Sequence, residues 1–198
     1  FHALATSRFK TKARQRLIEV ASQLYGKTFD PKGTTLVATS GRYEYRNKGI
    51  DLIVNSLESL LQQQAKLSSD LILYFFIPAW VAEPRADLAY LLSESNPESS
   101  TTPLEYPYLT HWLHNLREDT LAGRLGELFK RGATAQHIYP IFVPTYLDGH
   151  DGILGLPYYD LLSALDLTLF PSYYEPWGYT PLESIAYGVP TVTTDLSG

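Results

Sequence analysis

Apolar positions along the chain switch repeatedly between helical spacing and short continuous runs. Apolar residues recur every three or four positions in residues 13–25 and again in residues 50–61, as in amphipathic helices. Residues 71–77 are instead apolar throughout, which is typical of a strand covered on both faces. Over the whole chain the pattern predicts helices at 13–25, 50–66, 87–92, 109–130, 158–165 and 181–187, and strands at 34–39, 71–77, 137–143, 167–170 and 189–193.

This alternation predicts the fold class. Strands that alternate with helices pair in parallel through right-handed crossovers. We therefore expect an α/β fold, a Rossmann-like parallel sheet with helices on both faces. The chain divides into a lead-in helix and turn, residues 1–33, and a Rossmann-like domain, residues 34–198, in which residues 84–130 form a variable helical and loop region.

The composition excludes several classes of protein. Hydrophobic residues make up 44% and charged residues 19% of the 198 residues, a balance typical of globular rather than disordered proteins. The net charge of −5 argues against nucleic acid and anionic membranes as partners. The longest apolar run, residues 71–82, contains Pro78 and is too short to span a bilayer. Because the chain has no cysteine, disulfides, thiol nucleophiles and Cys-zinc sites are excluded.

The N-terminal residues lack a charged region followed by an apolar stretch, so no secretory signal is visible. We therefore expect a cytoplasmic protein. The chain neither begins with Met nor contains one, and we expect it to be a segment of a longer protein.

Candidate binding residues are expected in three loops, because ligands of doubly wound sheets bind beyond the carboxyl ends of the strands. These loops are residues 40–49, 148–158 and 172–183. In the first loop, Arg42 and Lys48 would neutralise a diphosphate leaving group without a metal, although a solvated surface loop would carry the same residues.

The third loop leads into a predicted helix start. Thr180 is a good N-cap, Pro181 suits the first helical position, and Glu183 completes the Thr-x-x-Glu pattern of a capping box. Gly178 would let a backbone approach a phosphate or a sugar hydroxyl closely. Glu175 has no capping role and is either a solvated loop residue or a functional carboxylate.

Two further groups of residues have the side chains of metal ligands. Asp148, His150 and Asp151 lie in a Gly-rich loop, which we interpret as a solvated turn. His111 and His114 would lie one turn apart on the predicted helix, where packing or exposure to solvent is the expected role. No metal site is predicted.

Two longer strings carry a family resemblance. The sequences GRYEYRNKG at 41–49 and PSYYEPWGYTPLE at 171–183 closely resemble the animal and fungal glycogen synthases, glycosyltransferase family 3. Within the second string, Glu175 and Glu183 match the E-x7-E motif of many retaining glycosyltransferases. The closing string VTTDLSG at 192–198 is also similar to the family.

The resemblance implies a GT-B enzyme, which has two Rossmann-like domains with the active site between them. This chain would be mainly the C-terminal half, which binds the nucleotide-sugar donor, and the N-terminal domain would be its partner. By the family pattern, Arg42 and Lys48 would hold the donor diphosphate, and Glu175 would lie against the glucose being transferred.

The remaining donor contacts are also implied by the family pattern. The backbone of Gly178, Tyr179 and Thr180 would meet phosphate and glucose. Glu183 would bind the ribose, and Tyr158 would stack on the base.

The function implied is transfer of glucose, with retention at the anomeric carbon, from a nucleotide donor to the 4-hydroxyl of an α-1,4-glucan. The family favours UDP-glucose as donor and needs no metal or other cofactor, and a homo-oligomer is possible. Retention admits a covalent intermediate or same-face attack, and we favour the second. Alternative interpretations are another retaining GT-B transferase, or a non-catalytic module that binds nucleotide or glucan.

Overall fold

The computed structural model describes residues 2–93 and 100–196, so the last two residues of the closing string lie outside the described residues. The helices are α1 (His2–Tyr25), α2 (Ile50–Gln62), α3 (Ala86–Leu91), α4 (Thr120–Lys130), α5 (Tyr158–Ser163) and α6 (Tyr179–Ala186), with a 3-10 turn at Ala133–Gln136. The strands are β1 (Thr35–Ser40), β2 (Leu71–Phe76), β3 (Val81–Pro84), β4 (His111–Leu113), β5 (Ile138–Val143), β6 (Leu167–Phe170) and β7 (Thr191–Thr193).

Five strands form one sheet in the order β5-β2-β1-β6-β7, and every pairing in it is parallel. Counted along the chain, these strands have the order 3-2-1-4-5, so the sheet grows first to one side of β1 and then to the other. This is the doubly wound order of Rossmann-like folds, with the switch point between β1 and β6. The predicted fold class is confirmed.

Helices cover both faces of the sheet, and a core lies on each side. One core packs α1 and α5 against the sheet, and the other packs α2 and α4 against it. All six residues of β5 and five of the six of β2 are buried, because successive side chains point to opposite faces and both faces are covered.

Helix α1 belongs to the first of these cores. Leu17 and Leu24 on its apolar face are fully buried. On another face, the Arg14 guanidinium donates to the carbonyl of Thr34, 2.6 Å away, and to the Asp166 carboxylate at 3.0 Å. These bonds fix α1 to the starts of β1 and β6. No helix among the described residues has the length and apolarity needed to cross a membrane.

The predicted helix at 109–130 is wrong in its first half. His111–Leu113 is strand β4, which pairs antiparallel with the unpredicted strand β3, and only Thr120–Lys130 is helical. Leu109 and Leu113 are buried at a spacing that fits a helix, but Leu109 pairs with Phe142 of β5 instead. Contacts distant in sequence therefore override the local period, and the helix begins where the Asp119 carboxylate accepts from the N–H of Ala122 at 2.8 Å.

The two histidines of this region are consequently not helix neighbours. His111 is buried in β4, with one ring nitrogen 2.8 Å from the Thr110 hydroxyl and the other 2.8 Å from the carbonyl of Asp151. The His114 ring packs against Trp80, 5.3 Å between ring centres. The expectation of packing or exposure to solvent is confirmed, because His111 packs in the interior and His114 is exposed.

A fully buried arginine organises the variable region. Arg85 donates to the carbonyls of Tyr106 and Leu109 at 2.7 and 3.0 Å, and to the Asp87 carboxylate at 2.7 Å. Its guanidinium also lies 4.6 Å from the centre of the Trp112 ring. One side chain thus joins α3, β4 and the segment between them.

Candidate functional site

The loops after β1 and β6 meet at the switch point of the sheet. The N–H of Tyr173 donates to the carbonyl of Asn47 at 2.9 Å. Beside this bond, Gly49 has a φ of +69°, and a Cβ there would lie 2.0 Å from the Pro171 carbonyl oxygen. Only glycine permits both the backbone conformation and this close approach, so the loop geometry depends on Gly49.

The junction brings two of the predicted site residues into contact. The Lys48 ammonium donates to the Glu175 carboxylate. Both side chains are largely enclosed, with 17% and 20% of their surfaces exposed. They line a small cavity together with Thr180, at the first turn of α6. A cation, a carboxylate and a helix N-terminus therefore converge at one point.

Arg42 lies on the other side of the same loop. Its side chain is 80% exposed and pairs with the Glu44 carboxylate at 2.9 Å. Arg42 lines a larger cleft next to the cavity of Lys48, and Thr180 borders both. The two predicted cations thus lie in adjoining parts of one surface, one enclosed and one exposed to solvent.

The larger cleft has a volume of about 580 Å³. The ends of β1 and β2, the loop after β5, and the first turns of α5 and α6 form its walls. Tyr158 lines this cleft, with its hydroxyl 2.7 Å from the Ser40 hydroxyl and its ring edge-on to Phe76. Burial raises the pKa of Tyr158 to about 12, so the phenol keeps its proton at neutral pH.

The capping box predicted at Thr180 and Glu183 is wrong. The N-cap of α6 is Gly178, at a φ of 61°, so the helix begins at Tyr179 and Thr180 lies inside its first turn. Pro181 fits this turn because the first N–H groups of a helix have no carbonyl partner within it. Glu183 is thereby free of a capping role, and it accepts a hydrogen bond from the Tyr159 hydroxyl at 3.1 Å.

The other residues of this helix start differ in exposure. No side chain of the described residues caps α6, so its N-terminal N–H groups and the positive end of its dipole face the loop after β6. The Tyr179 side chain is 64% exposed and stacks on Trp177, away from both cavities. Gly178 and Tyr179 can therefore contribute backbone groups to a ligand, whereas Thr180 also borders the cavities.

The loop after β5 contains a buried carboxylate. Asp151 is only 8% exposed and accepts from the N–H groups of Ile153, Leu154 and Gly155 at 2.7 to 2.9 Å. The expectation of a solvated turn is therefore wrong for Asp151, whose carboxylate builds the turn from inside. Within residues 2–93 and 100–196, no group of three His, Cys, Asp or Glu side chains is arranged to hold a metal ion.

Sequence reasoning included Ser40 in the first candidate loop without assigning it a role, and it missed the cleft residues Phe76, Thr145 and Tyr159. Ser40, Phe76 and Thr145 end or follow strands at the carboxyl edge of the sheet, where the topology rule places ligands. That signal was present in the sequence for Ser40 and Thr145. Tyr159 is recognisable only from its contact with Glu183.

The fold and the site define a class, the doubly wound α/β domains that bind ligands at the topological switch point. The family model described as Glycogen synthase matches residues 100–198, half of the chain. Glycogen [starch] synthase isoform 2 of Saccharomyces cerevisiae is 27% identical over 86% of this chain, and the liver glycogen [starch] synthase of Homo sapiens is 28% identical over 90%. The glycogen [starch] synthase of Neurospora crassa is 26% identical over 90%.

The chain belongs to the glycogen synthase family. It spans about a third of the length of the curated relatives it matches, 32% of the yeast and human proteins and 33% of the Neurospora protein.

Proposed function

We propose that this chain is the donor-binding part of a retaining glucosyltransferase that elongates an α-1,4-glucan from UDP-glucose. The observation that carries the proposal is the contact of Lys48 with Glu175 at the switch point, beside the free N-terminus of α6. Cations and helix N-termini stabilise phosphate anions, and a neighbouring carboxylate stabilises positive charge on a sugar. The family membership of the chain supports the same chemistry.

We assign each part of the donor to one of the two adjoining cavities. The diphosphate would lie between Lys48, Arg42 and the first turn of α6, which offer it two cations and the positive end of a helix dipole. The nucleoside would occupy the larger cleft, with the base at the aromatic ring of Tyr158 and the ribose hydroxyls at Glu183. The glucose would then point toward Glu175.

The reaction breaks the bond between the anomeric carbon and the phosphate oxygen, and UDP leaves as an anion. Lys48 and Arg42 would neutralise the charge that develops on that oxygen, and Glu175 would stabilise the cationic sugar. The 4-hydroxyl of the glucan end attacks on the face that UDP leaves, and its proton passes to the departing phosphate oxygen. Attack on the same face retains the configuration at the anomeric carbon without a covalent intermediate and without a metal.

The rest of the longer protein would supply the second Rossmann-like domain and the acceptor surface. The candidate site lies at the carboxyl edge of a single sheet. It is open toward solvent near Arg42, whose side chain is 80% exposed. We therefore expect the chain alone to bind the donor nucleotide, and transfer to require the whole protein.

Donor profiling of the full-length protein that contains this chain tests the proposal. Labelled glucose is offered as UDP-glucose or ADP-glucose together with a glucan primer, and incorporation and anomeric configuration are measured. We expect α-1,4 incorporation from UDP-glucose. Incorporation of a different sugar would assign the chain to another retaining transferase, and nucleotide binding without any transfer would make it a non-catalytic module.

A further inference from the structure

An aromatic side chain that the family pattern does not assign contacts the carboxylate of Glu183. The Tyr159 hydroxyl donates to Oε1 of Glu183 at 3.1 Å, and both side chains line the larger cleft. The hydrogen bond to the carboxylate raises the pKa of Tyr159, so the phenol remains a donor across the physiological range.

A second aromatic side chain braces Tyr159. The Tyr159 ring stacks on the Tyr187 ring, with 5.3 Å between ring centres and 11° between ring planes. It also contacts the Tyr158 ring, with 5.3 Å between centres and 63° between planes. Tyr187 is the C-cap of α6 and follows Glu183 by four positions, so the stacked ring and the carboxylate lie on the same side of this helix. The Tyr159 side chain, which belongs to α5, is thus held against the end of α6 by a stacking contact that is separate from its hydrogen bond.

This arrangement restricts how Glu183 can meet a ligand. A glutamate side chain has several rotamers, and holding it in one of them before binding lowers the entropy lost on binding. The phenol occupies one carboxylate oxygen and leaves lone pairs on the other for a pair of vicinal hydroxyls. A ligand with one hydroxyl fewer would leave part of this fixed acceptor unpaired.

We propose that Tyr159, braced by Tyr187, is a positioning residue that orients Glu183 toward the ribose diol and makes the cleft select ribonucleotides over 2′-deoxyribonucleotides. The inference rests on the proposed function, because it takes the ligand of Glu183 to be a ribose. It adds a selectivity whose determinants lie partly outside the E-x7-E motif.

Calorimetric titration of the chain with UDP and with 2′-deoxy-UDP tests the inference. We expect Tyr159→Phe, which keeps the ring and its stacking, to weaken UDP binding about tenfold, because Glu183 is no longer held in one rotamer before the nucleotide binds. We expect it to weaken 2′-deoxy-UDP binding less, so that the ratio of the two affinities falls. Tyr90→Phe removes a hydroxyl from an exposed side chain outside both cavities and should change neither affinity.

The bracing contact is tested separately at Tyr187. Tyr187→Phe retains the stacking and should bind like the unaltered chain, whereas Tyr187→Ala should lower the ratio of the two affinities in the same direction as Tyr159→Phe. Thermal melting of each variant separates loss of folding from loss of selectivity. If the unaltered chain binds UDP and Tyr159→Phe keeps the same affinity ratio, the inference is overturned while the proposed function stands. If neither the chain nor the full-length protein binds UDP, the proposed function fails.

Discussion

Lys48 and Glu175 contact each other across the switch point of the sheet, although they are 127 positions apart in the sequence. Their contact is made by two loops that follow neighbouring parallel strands, β1 and β6. Within this contact, the carboxylate neutralises the cation that we assign to the donor diphosphate. A bound diphosphate would therefore compete with Glu175 for the Lys48 ammonium, and binding and transfer should respond differently when Glu175 is changed.

Glu175→Gln separates these two effects. Removing the negative charge frees the Lys48 ammonium and removes repulsion of the diphosphate, so UDP should bind at least as tightly as to the unaltered protein. Glucosyl transfer by the full-length protein should fall by about a hundredfold or more, because the charge that stabilises the reacting sugar is lost. Calorimetry and a transfer assay on the same preparation measure both quantities. Glu105→Gln, a substitution of an exposed residue outside both cavities, serves as the control. A fall in UDP binding by Glu175→Gln in parallel with the fall in transfer would contradict the role assigned to Glu175.

Gly49→Ala should disrupt the junction of the two loops. The added Cβ would lie 2.0 Å from the Pro171 carbonyl oxygen, and alanine is disfavoured at a φ of +69°. Gly132→Ala is a matched comparison, because Gly132 has a φ of +86° with no atom within 4 Å of the added Cβ. We expect the free energy of unfolding in urea to fall by about 1 kcal/mol for Gly132→Ala and by at least about 2 kcal/mol more for Gly49→Ala. If the two variants lose the same free energy of unfolding, the close contact of the Cβ at position 49 with Pro171 is relieved without cost, which would contradict this prediction.

Arg85→Lys should destabilise the variable region. Lysine cannot reproduce the guanidinium that donates to two carbonyls and to Asp87, and Arg85 is fully buried. We expect a loss of about 2 to 4 kcal/mol in the free energy of unfolding. Arg124→Lys, at a partly exposed arginine that pairs with Glu58 at 3.0 Å, should cost less than about 1 kcal/mol. Chemical denaturation of the two variants in parallel gives the comparison.

The buried ring of His111 predicts a dependence of stability on pH. Burial lowers the pKa of His111 below its ordinary value of 6.5, so the folded chain binds a proton less readily than the unfolded chain. The neutral, buried His111 therefore contributes fully to the free energy of unfolding above pH 6.5. This contribution is lost as the pH falls through the lowered pKa. Denaturation curves at several pH values should show a loss of stability below about pH 6.5 that is smaller in His111→Gln. Identical pH profiles for the two proteins would exclude His111 as its source.

Local patterns in the sequence predicted the elements of the sheet but not all of the elements around it. The continuous apolar run at 71–77 predicted a strand covered on both faces, and β2 is that strand. Residues 109–119 carry a helical spacing, yet pairing with β3 and β5 determines their structure. Such pairing depends on segments far apart in the chain, which periodicity does not describe.

The candidate site shows the same division. The loops that hold Lys48 and Glu175 were predictable from the topology rule, since both follow strands at the carboxyl edge. The contact between their side chains was not, because it depends on the order of the strands. At α6, Thr180 and Glu183 satisfied a capping pattern, but Gly178 starts the helix earlier by adopting a positive φ, and Glu183 turns to Tyr159 instead.

The most direct test of the account is calorimetric titration of the chain with UDP and ADP, repeated on Lys48→Ala and Arg42→Ala. We expect UDP to bind in preference to ADP, and each substitution to weaken UDP binding by about tenfold or more because a charge-assisted contact to phosphate is lost. Lys66→Ala, at an exposed lysine outside both cavities, should leave binding unchanged. Undiminished UDP binding by Lys48→Ala, in a chain whose folding is verified by thermal melting, would contradict the placement of the donor diphosphate at the switch point.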